Sequence, residues 1–242
     1  MRPRTCASLV FTCLLFSSAT FAQTNNFSDT SKNKFTIEPP LGAPSVGEKL
    51  KFDVSWLGIP IGIGELEVRE KVMVRGREAF HVIATARTNN FLSNIFPVTD
   101  EIHSFIDAET MYSLEFRKSL EEGRYRNEEK TEFSPESRTH DLVSAFYWFR
   151  LQPVAPGQNI KTVVSSRSKE REVEFRVLQS MNKELKGSRV VPVLEVEPKT
   201  ELKEVLYKRG RVWIYFSMDS RRTPVWVTIQ THFGRVVGVL TG

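Results

Sequence analysis

The chain has 242 residues, with 34 Lys and Arg against 29 Asp and Glu and an aromatic content of 11%. That length supports one sizeable core, and charges of both signs interleave along it, which excludes the basic stripe of a nucleic-acid binder. Both cysteines, Cys6 and Cys13, stand near the start, so the rest of the chain has no disulfide, thiolate metal site or cysteine nucleophile.

Arg2 and Arg4 precede an apolar run from Cys6 to about Phe21, and Thr20-Phe21-Ala22 places small residues before Gln23. This pattern predicts a cleavable secretory signal over residues 1–22 and a periplasmic destination. The run is too short and too rich in Ser and Thr for a membrane span. Val10-Phe11-Thr12-Cys13 is a poor lipobox, because its middle is bulky and Thr precedes the Cys. Loss of Arg2 and Arg4 leaves 32 cationic and 29 anionic residues, a net +3. Residues 23–45, polar and then carrying Pro39, Pro40 and Pro44, read as a flexible tether. Residues 46–242 read as a single β-rich domain.

From Gly47 the hydrophobic period is two. Leu50, Phe52, Val54 and Trp56 alternate with polar residues, as a half-buried strand requires. A turn near Gly58-Ile59-Pro60 leads to a strand over 61–74. Gly62, Gly64, Leu66 and Val68 share one of its faces, and the glycines predict a notch where a helix can approach the backbone. Arg75-Gly76 turns the chain into a third strand with Phe80, Val82, Ala84 and Ala86 inward. Residues 89–96 predict a helical turn before Pro97, followed by strands over 99–107, 111–120 and 124–133. The last of these is nearly all polar and reads as an exposed edge.

The run Asp141-Leu-Val-Ser-Ala-Phe-Tyr-Trp-Phe-Arg-Leu-Gln152 breaks the two-residue period. Leu142, Ala145, Phe146 and Phe149 fall at i, i+3, i+4 and i+7, Asp141 is placed to cap, and Pro153 and Pro156-Gly157 end the run. Apolar residues cover nearly the whole circumference, so this helix belongs inside the protein. Strands follow over 160–165, 171–179, 190–196, 202–207 (the poorest), 211–218, 225–233 and 235–240. The fold expected is mainly β: about twelve strands in an antiparallel, strongly curved sheet, an open β-barrel or β-spiral wrapped around the central 141–152 helix.

Several separated motifs resemble one family. Gly47-Glu-Lys-Leu-Lys-Phe-Asp-Val-Ser-Trp56 with Gly58-Ile-Pro-Ile-Gly62, Pro97-Val-Thr-Asp-Glu-Ile102, Phe105-Ile-Asp-Ala-Glu-Thr110 and Glu122-Gly-Arg-Tyr-Arg126 resemble the bacterial exported domain of unknown function 3108. So do Asp141–Arg150, Lys208–Asp219, Arg222-Thr-Pro-Val225 and Phe233-Gly-Arg-Val236. The resemblance spans roughly residues 45–241. It implies an exported envelope domain without assigned activity, and it brings no site residues with it.

Catalytic patterns are sparse. His81, His103, His140 and His232 have no HxH or HxxxH spacing, and on a strand Glu101 and His103 share a face while Asp100 takes the other, so no metal is expected. No Gly-x-Ser-x-Gly elbow occurs, and Gly58-Ile-Pro-Ile-Gly-Ile-Gly64 lacks the Lys-Ser/Thr and following helix of a phosphate loop. No cofactor is expected. Trp213 and Tyr215 load the second face of a strand whose first face is Val212, Ile214 and Phe216, and Trp226 does the same on the next. Either these strands are covered on both faces, or the aromatics line a ligand groove. Arg222 either covers the sheet end or, with Arg221, holds an anionic group. Arg150 either complements its helix terminus or anchors a buried carboxylate.

The expected function is a non-catalytic periplasmic cell-envelope protein that binds a hydrophobic, lipid-like ligand or a protein partner, through Trp148, Trp213, Tyr215, Trp226, Arg150 and Arg222. A glycan is the further ligand class considered. The alternatives are an envelope polysaccharide- or peptidoglycan-acting hydrolase, and a structural module whose 125–133 edge accepts a partner strand.

Overall fold

Period-two alternation is realised as strand from residue 49 onward in the computed structural model, which describes residues 42–166, 169–200 and 210–241. The first half holds β1 (Lys49–Trp56), β2 (Ile59–Val74), β3 (Arg77–Thr88), a short α1 (Asn90–Ser93), β4 (Val98–Asp107), β5 (Ser113–Glu122) and β6 (Tyr125–Glu132). After α2 (Leu142–Arg150) come β7 (Asn159–Ser166), β8 (Lys169–Glu184), β9 (Val190–Thr200), β10 (Arg211–Ser217), β11 (Pro224–Thr231) and β12 (Gly234–Leu240). The strand expected over 202–207 lies outside the described residues, as do the signal and most of the tether.

Among the described residues the twelve strands form one antiparallel sheet in the order β6-β5-β4-β3-β2-β1-β12-β11-β10-β9-β8-β7. Every neighbour is consecutive in sequence except β1 and β12, so the sheet is a meander whose two edges are β6 and β7. Two hairpins turn through residue pairs with positive φ, Leu57-Gly58 (50° and 85°) and Arg75-Gly76 (47° and 82°). That hand matches the strand twist, and glycine adopts it without a Cβ penalty. β6 pairs only with β5, and its alternating exposed side chains fit the polar edge expected there.

Helix α2 lies between the two edge strands in the chain and packs on one face of the sheet. Ala145 and Phe149 join a core of Val54, Ile61, Val173, Phe175, Val212, Ile214, Phe216 and Val227 from β1, β2 and β8–β11. Val143 and Tyr147 join a second core with Val68, Phe80, Val82 and Ile106 from β2–β4. The helix therefore touches both halves of the same sheet. Phe149 and Tyr147 have no solvent exposure, and each such side chain stabilises the fold by about 1.5–3 kcal/mol through burial.

The glycine notch has a different origin from the one expected. A Cβ at Gly62 would collide with the Arg87 carbonyl of β3, so this glycine serves the neighbouring strand beside a bulge in β1–β2 pairing. The helix makes its close approach at Gly42, where a Cβ would strike the Arg150 carbonyl.

Candidate functional site

Both ends of α2 are tied down by polar groups drawn from distant strands. At the N-terminus the Asp141 carboxylate accepts from the Val143 and Ser144 amides (2.7 and 3.0 Å) and from the hydroxyls of Ser104 (2.6 Å, β4) and Ser113 (2.7 Å, β5). Ser144 Oγ lies 3.1 Å from His140 Nδ1. Serine, histidine and aspartate thus converge, but not as a nucleophilic triad: the aspartate orients serines, and His140, Asp141 and Ser144 are wholly buried. Burial raises the Asp141 pKa against the hydrogen bonds that oppose it, and pushes His140 down to about 4. The neighbouring Thr139 carbonyl accepts from Ser113 N–H, while His140 exchanges backbone hydrogen bonds with Val163 and Ser165 of β7. Two residues ahead of the helix therefore bridge the sheet's open seam.

At the C-terminus Arg150 chelates Glu48 through both terminal nitrogens (3.0 and 2.7 Å) and donates to the Arg221 carbonyl. Tyr147 Oη donates to the same carboxylate at 3.0 Å. Arg150 thus anchors a carboxylate, one of the two roles its position suggested. Arg222 donates to the Gln152 carbonyl, and burial lowers its pKa. Both arginines fasten the helix end to the β10–β11 turn.

The four predicted aromatics do not converge. Trp148 is half-buried on the helix side, beside Phe175 and His140 with ring centroids 6.2 and 5.6 Å away. Trp213, Tyr215 and Trp226 take the opposite face, because they alternate with Val212, Ile214 and Val227 in strands whose other face meets the helix, while a bulge in β10–β11 pairing sends Val225 to the aromatic side. There the tip of the β8–β9 hairpin covers them. Leu185 packs into the aromatic cluster, Lys183 Nζ stands 4.0 Å from the Tyr215 ring and 5.0 Å from Trp226, and Lys186 pairs with Asp53 of β1. Tyr215 is buried there, while Trp213 and Trp226 keep part of their surface accessible.

A different surface is less fully covered. On the helix side of β2–β6, cross-strand rows run Val68–Val82–Ser104–Phe116, then Leu66–Ala84–Ile102–Lys118–Glu129, then Gly64–Ala86–Asp100–Leu120–Asn127. The first row carries the helix. The next two begin with Gly, Ala and Leu, and Leu66, Ala84, Ile102 and the facing Phe146 of α2 keep part of their surface accessible. Inward positions filled with small side chains leave room that a larger residue would occupy.

This surface ends in charge. Lys118 Nζ bonds Glu129 at 2.6 Å with both side chains mostly buried, and Asp100 and Glu122 are buried beside them. Asp100 Oδ1 accepts from the Glu121 amide, while Oδ2 has no partner among the described residues. Burial, with the Glu122 charge adding to it, lifts the Asp100 pKa to about 7. Asp100 and Glu122 form a carboxylate pair on one face, because the β4–β5 register sets Asp100 against Leu120 and Glu122 against Val98. Only that register, invisible in the spacing, makes them neighbours.

The histidines also meet. His81 Nε2 and His103 Nδ1 are 2.9 Å apart on the outer face of β3–β4, and His103 Nε2 lies 2.6 Å from Glu101. Among the described residues no three His, Cys, Asp or Glu side chains converge as a metal cage, and no helix is long and apolar enough to cross a membrane.

Comparison with solved structures finds matches at low identity. A β-barrel-like protein of domain of unknown function DUF1849 from Brucella abortus is similar at 9% identity and a TM-score of 0.48, over 80% of this chain and 94% of that one. The hypothetical protein CT021 from Chlamydia trachomatis is similar at 12% identity and a TM-score of 0.37, over 83% and 87%. A protein with a YmcC-like fold from Bacteroides fragilis matches at 10% identity and a TM-score of 0.33, over 82% and 95%. No curated protein matches. The family described as protein of unknown function DUF3108 matches residues 51–241, and the chain belongs to that family.

Proposed function

We propose that this is a non-catalytic protein of the periplasmic cell envelope whose sheet curls around α2 and holds an amphipathic, lipid-like ligand against the inner face of β2–β5. The carrying observation is the Leu66–Ala84–Ile102 and Gly64–Ala86–Asp100 pair of rows: small or partly accessible apolar residues leading to a buried charged group. Pockets for such ligands are mostly apolar with a few polar groups at one end. Leu57, Ile59, Phe91, Ile95 and Phe233 are exposed at that end of the sheet, in its turns, at the start of β2 and in α1, which suits passage of an apolar molecule. Trp148 stays within this reading as a residue of the helix side, and Arg150 and Arg222 act by fixing the helix. The charged start, apolar run and small residues of 1–22 support export.

Native mass spectrometry of protein purified from the periplasm, followed by solvent extraction, tests it. An extractable lipid should accompany the wild-type chain and be lost in Ala84→Phe, which fills the space without removing a polar group. Empty wild-type protein that also fails to take up envelope lipids would refute the proposal.

A second reading rests on the Asp100–Glu122 pair, since two carboxyls side by side, one of them raised, are the equipment of a glycoside hydrolase. Both are almost fully buried, at 4% and 1% exposure, which favours binding over turnover. Hydrolysis of cell-wall glycans abolished by Asp100→Asn and Glu122→Gln would reverse that preference.

A further inference from the structure

The turns at one end of the sheet are apolar and basic at once. The β11–β12, β1–β2, β3–β4 and β5–β6 connections stand side by side there, since the sheet runs β11-β12-β1-β2-β3-β4-β5-β6 without a break. Hydrogen bonds tie each turn to the next. Leu57 N–H donates to the Arg235 carbonyl at 2.9 Å, and Trp56 Nε1 to the Phe233 carbonyl at 3.0 Å. Asn89 donates from its amide to the Ile61 carbonyl at 2.9 Å and from Nδ2 to the Pro60 carbonyl at 2.8 Å. Gly123 N–H reaches the Pro97 carbonyl at 2.7 Å. The four connections therefore form one rim.

Large apolar side chains occupy the outside of that rim. Leu57, Ile59, Phe91, Ile95 and Phe233 are 51% to 76% exposed, and no charged residue stands from Val54 to Gly64 or from Thr88 to Thr99. One exposed leucine is ordinary, but five such residues on tied turns make a patch that marks an interaction site. In these turns and the two strand residues flanking each, the exposed charges are Arg87, Arg124, Arg126, Arg235 and Glu121. Glu121 lies 3.5 Å from Arg126, and Arg87, Arg124 and Arg235 make no ion pair among the described residues. Four cations less one anion leave the rim at +3. The other end of the sheet also exposes Met73 and Met218, but its cations are matched: Lys71 pairs with Glu78, Arg75 with Glu132 and Arg77 with Asp107.

We propose that this rim docks end-on against an anionic lipid bilayer. The apolar side chains enter the boundary between headgroups and acyl chains, a depth of about 5–10 Å. Arg87 and Arg235 stand two strand residues behind Asn89 and Phe233, about 7 Å back at the rise of a strand, which is the level of the lipid phosphates. Buried apolar area and attraction of arginine to anionic headgroups are the two contributions that together hold a peripheral protein reversibly on a membrane. An apolar protein face would cover the five side chains but leave three arginines to be matched separately, whereas an anionic bilayer meets both over one plane. The docking rests on the rim alone and stands whether or not the inner face of the sheet holds a ligand.

Flotation of the full chain with vesicles of phosphatidylglycerol and phosphatidylethanolamine, beside vesicles of phosphatidylcholine alone, tests it. The protein should float with the anionic vesicles, stay in the bulk phase with the neutral ones, and be released as salt rises to about 0.5 M. Arg87→Gln, Arg124→Gln and Arg235→Gln combined should weaken binding roughly 100-fold, at about fivefold for each arginine. Phe91→Ser with Ile95→Ser, both at exposed positions, should weaken it by roughly 10-fold or more while the thermal melt stays that of the wild type. Met73→Ser with Met218→Ser, at the other end, should float as the wild type does. Wild-type protein that stays in the bulk phase with anionic vesicles, binding that ignores both sets of rim substitutions, or a dimer in solution that Phe91→Ser dissolves overturns the proposal.

Discussion

The two halves of the sheet present opposite inner faces to the same helix. From β7 to β12 that face is Val164, Val173, Phe175, Val196, Val212, Ile214, Phe216, Val227, Ile229 and Val236, all buried. From β2 to β6 it is buried under the helix at Val68, Val82, Ile106 and Phe116, then thins to Gly64, Ala84 and Ala86 and turns polar at Asp100, Lys118, Glu122 and Glu129, with Val98 and Leu120 between them. One half supplies apolar burial, the main source of stability. The other gives up burial and accepts the cost of enclosed charge, and such concessions concentrate where a protein binds something.

Substitutions can break this contrast. Phe149, whose ring lies 5.0 Å from Phe175 and 4.8 Å from Phe216, belongs to the stable half. Phe149→Ala should cost about 3–5 kcal/mol in urea denaturation, and a cost under about 1 kcal/mol would place the core elsewhere. Glu48→Gln leaves the Arg150 guanidinium buried without its anion, and should cost about 3 kcal/mol; Arg150→Met added to it should recover part of that loss.

Overpacking compares the halves directly. Val212→Phe, at a position with no exposure, should cost about 1–3 kcal/mol. Ala84→Phe, on the lean face, should cost less than about 1 kcal/mol. Equal costs would erase the distinction between core and site.

The smallest effect is a change in pH dependence. Asp100 has a folded pKa of about 7 against an ordinary value of 3.8, so the folded state holds a proton that the unfolded state releases. Its contribution is full below about pH 4 and lost as pH rises through 7. Asp100→Asn should therefore melt higher than wild type at pH 8, by roughly 2–4 °C, with the two converging near pH 4. His140, pushed down to about 4 from 6.5, has the opposite slope: its contribution is present above pH 6.5 and fades as pH falls through 4. Thermal melts from pH 4 to 8 check both.

Much of the architecture was legible because it rests on local periodicity. Leu50–Trp56 and Val212–Phe216 announce strands by alternation, and Asp141 with the 142–149 stripe announces a capped helix. The functional surfaces were less legible, since register and parity across strands create them. Trp213 and Tyr215 stand out in the sequence as surplus aromatics, but their parity sends them away from Trp148, and the long β8–β9 hairpin packs Leu185 and Lys183 against their cluster. His81 and His103 are 22 residues apart and meet only because β3 pairs with β4. Ala84 and Ala86 were assigned inward correctly; that their smallness across from Gly64 leaves space becomes evident once β2 and β3 are aligned.

The central claim is that the inner face of β2–β5 receives a ligand while that of β7–β12 is closed core. Methyl NMR during titration with a short-chain phospholipid or a fatty acid tests it most directly. Shifts should gather on Leu66, Ala84, Ala86 and Ile102 and leave Val164, Val173 and Val212 still. Shifts gathered instead around Val191, Val225 and Val239 beside the outer aromatic row, or spread evenly over both halves, would contradict it.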